Sequence, residues 1–294
     1  MVFQSNDGRR FLAGVLKPME MFQVDAFTNR LFAGNPAAVL ILEEWLPDAL
    51  LLAITQENNL SETAFVKASS NKDWDLRWFS PAHEVDFCGH ATLAAAHVLL
   101  TENREQGPLV FHTRVGELRV SKEHYGYRLD LPCLMPTTLG HLPPEISHIF
   151  DKPPARIFRN FENIFVDLGS ADAVRRYVPD LPAITLLGSV GLVVTGEETN
   201  CGHSDFVSRY FAPGAGIPED PVTGSIHATL VPYWANRLNK NKLTAFQASS
   251  RGGVLECELN KDRVYLTGNA ITFMKANILI NISDYQNPIS GPLS

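Results

Sequence analysis

Phe79-Ser80-Pro81, followed by Cys88-Gly89-His90-Ala91-Thr92-Leu93, has a counterpart later in the chain. The counterpart is Phe211-Ala212-Pro213, then Asp220-Pro221-Val222-Thr223-Gly224-Ser225-Ile226-His227-Ala228-Thr229-Leu230. Each copy ends a strand-like stretch, turns on Pro and Gly, and opens an apolar helix. A phrase used twice points to two similar halves. Helix N-termini expose unpaired N–H groups and a partial positive charge. Two of them aimed at one point make a site for an anionic small molecule.

The repeat can be aligned in two registers. Matching the literal His-Ala-Thr-Leu strings pairs His90 with His227. Matching the helix-start glycines pairs Gly89 with Gly224, Cys88 with Thr223 and His90 with Ser225. The glycine register keeps the turn chemistry in phase and is preferred. His227 is then a residue of the helix face.

Around these phrases the chain reads as short strands with one strongly apolar helix near the middle of each half. Glu20–Phe27 alternates like a strand. Ala37–Leu42 is short and apolar enough for a buried strand, and Pro47–Asn58 has helical spacing with Pro47 near its first turn. Thr63–Val66 and Leu76–Phe79 are strands, and a helix runs from about Gly89 to Glu102. In the second half Ser170 is available to cap a helix over Ser170–Tyr177, and a longer helix runs from about Gly224 to Leu238. The expected class is α+β: two similar halves, each a curved sheet wrapped around a central helix, with the site in the cleft between them. No Gly-x-Gly-x-x-Gly follows a strand and no regular strand–helix alternation occurs, so a Rossmann sheet is not expected. Residues 1–18 read as an N-terminal extension, 19–123 as the N-terminal half with 276–294 as its possible completion, and 124–275 as the C-terminal half. The boundary falls near Glu123–Gly126 or in the stretch marked by Pro132, Pro136, Pro143 and Pro144.

The chain has 294 residues, 45% hydrophobic and 19% charged, with a net charge of −7. It has no Lys/Arg stripe, so nucleic-acid binding is not expected. No apolar run approaches the roughly 20 residues that cross a bilayer, and residues 1–18 make a poor secretory signal. Cys88, Cys133, Cys201 and Cys257 are scattered, with no Cys-x-x-Cys. The default compartment is therefore the reducing cytoplasm. His83, His90 and His97 do not have metal-ligand spacing, and no metal is expected. Cys201-Gly202-His203 reads as a loop.

Among candidate site residues, Glu62 stands at a helix-to-strand junction beside Leu60, Ala64 and Phe65. Desolvation there would raise its pKa toward neutrality, as a general acid/base needs. The plainer reading is a surface residue at a strand start. His90, just inside the first repeated helix, could hold substrate or help move a proton, or simply serve a helix start. Ser225 could be a cap and Asp220 a turn opener. Taken together, two helix starts, a His, a Ser, an Asp and a Glu are the parts of a metal-free proton-transfer site.

Six blocks in order carry a family resemblance: Asp25-Ala26-Phe27-Thr28, Gly34-Asn35-Pro36-Ala37-Ala38-Val39, Asn59-Leu60-Ser61-Glu62-Thr63-Ala64-Phe65, Phe79-Ser80-Pro81, Cys88-Gly89-His90-Ala91-Thr92 and Glu219-Asp220-Pro221-Val222-Thr223-Gly224-Ser225. Together they resemble the PhzF family of phenazine-biosynthesis-like isomerases, over about residues 20–280. Ala245-Phe246-Gln247 and Arg251-Gly252-Gly253 are similar to its animal members. The resemblance implies the diaminopimelate-epimerase-like fold, no cofactor, no metal and a homodimer. It places the acid/base on Glu62, carries over His90, Asp220 and Ser225 as residues that hold substrate and assist proton movement, and makes Ser61, Gly89 and Gly224 substrate-binding positions. The epimerase relatives of that fold place a cysteine before the glycine at both helix starts. Here the second copy has Thr223, a far poorer base than a thiolate, and Ile226 stands where Ala is usual. The expected function is a cofactor-independent proton shift on a small carboxylate-bearing metabolite. The alternatives are an epimerase using Cys88 and a non-catalytic binding or interaction protein.

Overall fold

The computed structural model describes residues 17–69, 73–102, 105–199 and 202–280. In chain order the first half comprises β1 (Lys17–Ala26), β2 (Asn35–Leu42), α1 (Asp48–Asn58), β3 (Glu62–Ala68), β4 (Trp74–Phe79), β5 (Glu84–Val85), α2 (Gly89–Thr101), β6 (Leu109–Thr113), β7 (Gly116–Glu123) and β8 (Gly126–Pro132). There follow β9 (Thr137–Thr138), β10 (Arg156–Arg159), β11 (Asn163–Asp167), α3 (Ala171–Arg176), α4 (Leu181–Thr185), β12 (Gly191–Glu197), β13 (Phe206–Ala212), β14 (Ile217–Asp220), α5 (Gly224–Leu238), β15 (Lys242–Gln247), β16 (Gly253–Asn260), β17 (Arg263–Gly268) and β18 (Ala270–Ile280).

The fold is α+β, and strand pairing makes the duplication explicit. In the first half β1 and β2 are antiparallel, β2 and β3 parallel, β3 and β4 antiparallel, β4 and β6 parallel, and β6, β7 and β8 antiparallel. The series β10, β11, β12, β13, β15, β16, β17 repeats that pattern step for step. The short β5 and β14 sit at the same place on β4 and β13. The two series join where β8 pairs with β17. Each then sends one strand to the other: β9, after β8, adds to β10, while β18, after β17, adds to β1.

The exchange redraws the expected boundaries. Residues 123–126 are the turn of the β7–β8 hairpin, so by the repeat the first half runs on to Pro132 and the junction lies in the proline-marked stretch. Completion of the first half begins at Ala270 rather than 276; residues 281–294 lie outside the described residues. Of the expected N-terminal extension, Lys17 and Pro18 already belong to β1, and residues 1–16 lie outside the description. Cys201 also lies outside it.

Each half wraps its sheet around one helix. From Gly89 to Leu100 every residue of α2 is buried. The segment has no charged residue, as a helix hydrophobic on all sides requires. Leu93, Val98 and Leu99 are completely buried, each worth about 1.5–3 kcal/mol relative to exposure. The second-half helix α5 is buried along most of its length, including Ile226, Leu230 and Trp234. One apolar cluster runs through both halves and includes residues of both helices.

Candidate active site

The N-termini of α2 and α5 meet. A β-carbon on Gly89 would lie 3.3 Å from Gly224 Cα, and one on Gly224 would lie 3.4 Å from Gly89 Cα. Only glycine leaves the two backbones this close without displacement. The contact pairs the residues that the glycine register pairs, which places Cys88 and Thr223 as the matching N-cap residues. Both are extended and neither makes a side-chain cap hydrogen bond. No acidic residue lies in the first turn of either helix. The positive ends of both helices are therefore left for another anion.

A cleft of about 550 Å³ opens at this meeting point. Glu62, Cys88, Gly89 and His90 line it from the first half, and Asp220, Thr223, Gly224 and Ser225 from the second. Phe87, Phe161, Val190 and Tyr210 add apolar and aromatic wall. Among the described residues no Lys or Arg lines it. Among the described residues, the lining offers an anionic group backbone N–H groups, neutral donors and the His83 ring.

Glu62 opens β3, and its side chain is 12% exposed. Burial, with the nearby Asp220 charge adding to it, pushes its pKa up to about 8 against a hydrogen bond from Cys88 that lowers it. Its Oε2 lies 3.2 Å from His90 Nε2. Burial lowers His90 to about 3, so this contact is a hydrogen bond from a neutral imidazole and not an ion pair. Asn35 fixes the tautomer: its Nδ2 faces His90 Nδ1 at 3.1 Å, leaving the ring proton on Nε2 to donate to Glu62.

Asn35 is completely buried. Besides His90, its Nδ2 faces Asp220 Oδ1 and the Val222 carbonyl, each at 2.9 Å. Two hydrogens are thus shared among three acceptors drawn from both halves. Asn35 stands at the start of β2, beside the β3 strand that Glu62 opens. The signal for Asn35 in the sequence is its place in the family block Gly34-Asn35-Pro36-Ala37-Ala38-Val39.

Asp220 ends β14 and is buried, which raises its pKa, while hydrogen bonds from Thr223 and Asn35 lower it. The Thr223 hydroxyl donates to Asp220 Oδ2 and accepts from Gln247 Nε2 at 3.1 Å. Gln247 also accepts from the Thr223 N–H at 2.8 Å. Thr223 is therefore a tied structural hydroxyl, and Gln247 is a support that sequence reasoning missed.

Cys88 Sγ lies 3.4 Å from His90 Nδ1. Burial, then the Glu62 charge, pushes its thiol well above the ordinary range. The donor atoms of Glu62, Cys88 and His90 lie within 4.8 Å of one another. These are residue types that can ligate zinc, although each is already hydrogen-bonded to its neighbours.

Ser225, Gly89 and Gly224 reach the cleft, but Ser61 is not among its lining residues. The Ser61 hydroxyl is directed to Asn35 Oδ1 at 3.5 Å. Ser61, immediately before β3, thus contacts Asn35. His227 is fully buried on the α5 face, with Nδ1 bonded to the Thr223 carbonyl at 2.8 Å.

Residues 24–276 match the family model for the phenazine biosynthesis-like protein family PhzC-PhzF. An uncharacterized isomerase of Pseudomonas aeruginosa is 46% identical over 264 residues, covering 90% of this chain and 99% of that protein. The crystal structure of a PhzF-family phenazine biosynthesis protein from Enterococcus faecalis superposes with a TM-score of 0.84 at 40% identity, covering 90% of this chain and all of the other. A hydroxyproline epimerase from Agrobacterium vitis shares the fold alone, with a TM-score of 0.59 at 11% identity over 91% of this chain and 94% of that one. The two-half fold is shared with the PhzF-family structure and, as fold alone, with the hydroxyproline epimerase. The chain belongs to the PhzC-PhzF family of phenazine biosynthesis-like proteins, a family with isomerases among its relatives. Among the described residues no helix is long and apolar enough to cross a membrane.

Proposed function

We propose that the protein is a cofactor-independent isomerase that moves a proton on a small carboxylate-bearing molecule, with Glu62 as the general acid/base. The observation that carries this reading is Glu62 itself: a buried carboxyl with a pKa near 8, beside the uncapped starts of two helices. A carboxyl poised there can both take and return a proton near neutral pH.

In this reading the substrate carboxylate lies against the N–H groups at Gly89 and Gly224, with Ser225 beside it. Glu62 removes a proton from an acidic C–H. The helix ends stabilise the negative charge that develops, and Glu62 returns the proton to another atom on the same face. His90 donates from Nε2 to keep the carboxyl oriented, and Asp220 is held through Asn35 and Thr223.

The epimerase reading has one observation in its favour: Cys88 Sγ touches His90 beside Glu62. Against it, the thiol is held protonated and its counterpart on the facing helix is the tied Thr223. A pool of small carboxylic acids incubated in D2O separates the two. The proton shift requires wild type and Cys88→Ser to introduce deuterium and Glu62→Gln not to, with exhaustive chelation of metals leaving the rate unchanged. Loss of exchange in Cys88→Ser with retention in Glu62→Gln supports the epimerase instead.

A further inference from the structure

Away from the cleft, the two halves carry opposite charges at matching positions. Following the paired strands outward from Phe79 and Phe211 matches Thr63 with Leu192, Ala38 with Ile164, Gln23 with Arg159 and Met274 with Thr137. Glu20 is therefore matched by Arg156, Phe22 by Phe158 and Lys275 by Thr138. On the helices Glu102 is matched by Arg237, since each stands equally far from its helix-start glycine. In the first half Lys275 Nζ lies 3.2 Å from Glu20 Oε1 and 3.1 Å from Glu102 Oε2, above the Phe22 ring. The second half has a guanidinium in place of each carboxylate and a hydroxyl in place of the ammonium.

Arg156, Arg237 and Thr138 line one cavity of about 430 Å³, with Met135, Pro136 and Pro232 as apolar wall. The cavity is open because β9 pairs with β10 only at Phe158 and Arg159, whereas β18 runs the length of β1 and gives Glu20 a partner in Asn277. Among the described residues no Asp or Glu lines it. Arg237 is partly committed, with Nη1 3.3 Å from Oδ2 of the buried Asp167 and Nη2 3.9 Å from Glu197 Oε2. Arg156 is exposed and makes no ion pair among the described residues. Two guanidiniums at one cavity repel each other unless an anion lies between them, and their planar forks suit carboxylate or phosphate oxygens. The first half meets the same arrangement, with the signs reversed, through Lys275.

We propose that this cavity is a second binding site, for a small organic oxyanion whose carboxylate or phosphate head lies between Arg156 and Arg237. The apolar body of the ligand lies on Met135, Pro136 and Pro232, and the Thr138 hydroxyl faces the head group. The site shares no lining residue with the cleft at the helix starts, and it stands whatever reaction that cleft performs. Arg156 supplies the uncommitted charge, so binding depends on it first.

The test reads the cavity itself, through Met135. The full chain is labelled with 13C-methyl methionine, the Met135 resonance is assigned with Met135→Leu, and benzoate, phenyl phosphate and the neutral benzyl alcohol are titrated in turn. Wild type is expected to show a saturable Met135 shift with at least one anion, at a Kd about tenfold or more below that for benzyl alcohol. Arg156→Gln is expected to weaken that anion about tenfold, and Arg156→Glu, which restores the first half's sign, to abolish saturation, with benzyl alcohol unchanged in both. If these variants do not fold, raising KCl from about 50 to about 300 mM with wild type makes the same distinction, weakening the anion and sparing the alcohol. The tighter anion identifies the head group as carboxylate or phosphate. Absence of a saturable Met135 shift with both anions overturns the proposal, and so does an anion affinity that survives Arg156→Glu or added salt. An anion bound only in the cleft leaves Met135 unmoved and counts as the first of these.

Discussion

At the scale of single residues, burial decides the chemistry by keeping Glu62 and His90 neutral where solvent would ionise one and partly charge the other. The folded Glu62 titrates near 8, against an ordinary value of 4.5. In the unfolded chain it loses its proton near the ordinary value, so unfolding releases a proton between the two. The stability contributed by the neutral carboxyl is fully present below about pH 4.5 and is lost as pH rises through about 8. Glu62→Gln stays neutral throughout, so its Tm relative to wild type is expected to climb from pH 5 to pH 8 and level off above. A difference that stays flat across that range contradicts the buried-acid assignment. Glu62 and His90 were legible in the sequence because they stand inside quoted blocks, yet on local pattern Glu62 passes for a surface residue. Its burial comes from β2, α2 and the second half, none of which is local. Asn163 and Tyr210, which also line the cleft, were not legible, since neither stands inside a quoted block.

Among the elements, the two helix starts carry the greatest constraint. An alanine at position 89 or 224 gains up to about 1 kcal/mol in helix propensity. Against this, its β-carbon presses on the backbone of a buried partner helix at 3.3–3.4 Å, and overpacking of this kind costs about 1–3 kcal/mol. Each single variant is therefore expected to lower the melting temperature, and Gly89→Ala/Gly224→Ala to lose more than the sum, because two β-carbons compete for one gap. Additive or neutral effects, measured by thermal unfolding, would remove the close approach as the reason for glycine. The glycine register was readable because both turns keep the same chemistry, and Ser170 caps α3 as its sequence position suggested, accepting from the Ala173 N–H at 3.3 Å. The short α4 escaped notice: five residues beginning Leu181-Pro182 carry too little periodicity to separate a helical turn from a loop.

For the whole molecule, function depends on two halves keeping one relative position. Besides the exchanged strands, Arg251 clasps them. Its guanidinium reaches Asp25 Oδ1 at 2.7 Å and the carbonyls of Ala33 and Gly34 at 2.9 and 2.8 Å, one residue before Asn35. Asp25 is 2% exposed. Arg251→Ala leaves that carboxylate buried without its counter-charge, held by the Phe32 N–H at 2.9 Å, a loss of up to about 3–5 kcal/mol in denaturant unfolding. Arg251→Lys recovers only part of it, since an ammonium lacks the planar fork. Full recovery by lysine would contradict the clasp. The duplication and the α+β class were legible from the doubled phrase, but the strand exchange was not, because period-2 patterning tells which face a strand buries and not which neighbour it joins.

The central claim, that Glu62 carries the moving proton, is tested most directly by the pH dependence of solvent deuterium incorporation into an exchanging carboxylic acid. Wild type is expected to show a rate limb with a midpoint near 8, where the Glu62 carboxylate forms. Glu62→Gln is expected to be slower by about 10²–10⁴-fold and to lack that limb. An unchanged rate and limb in Glu62→Gln would contradict the assignment outright.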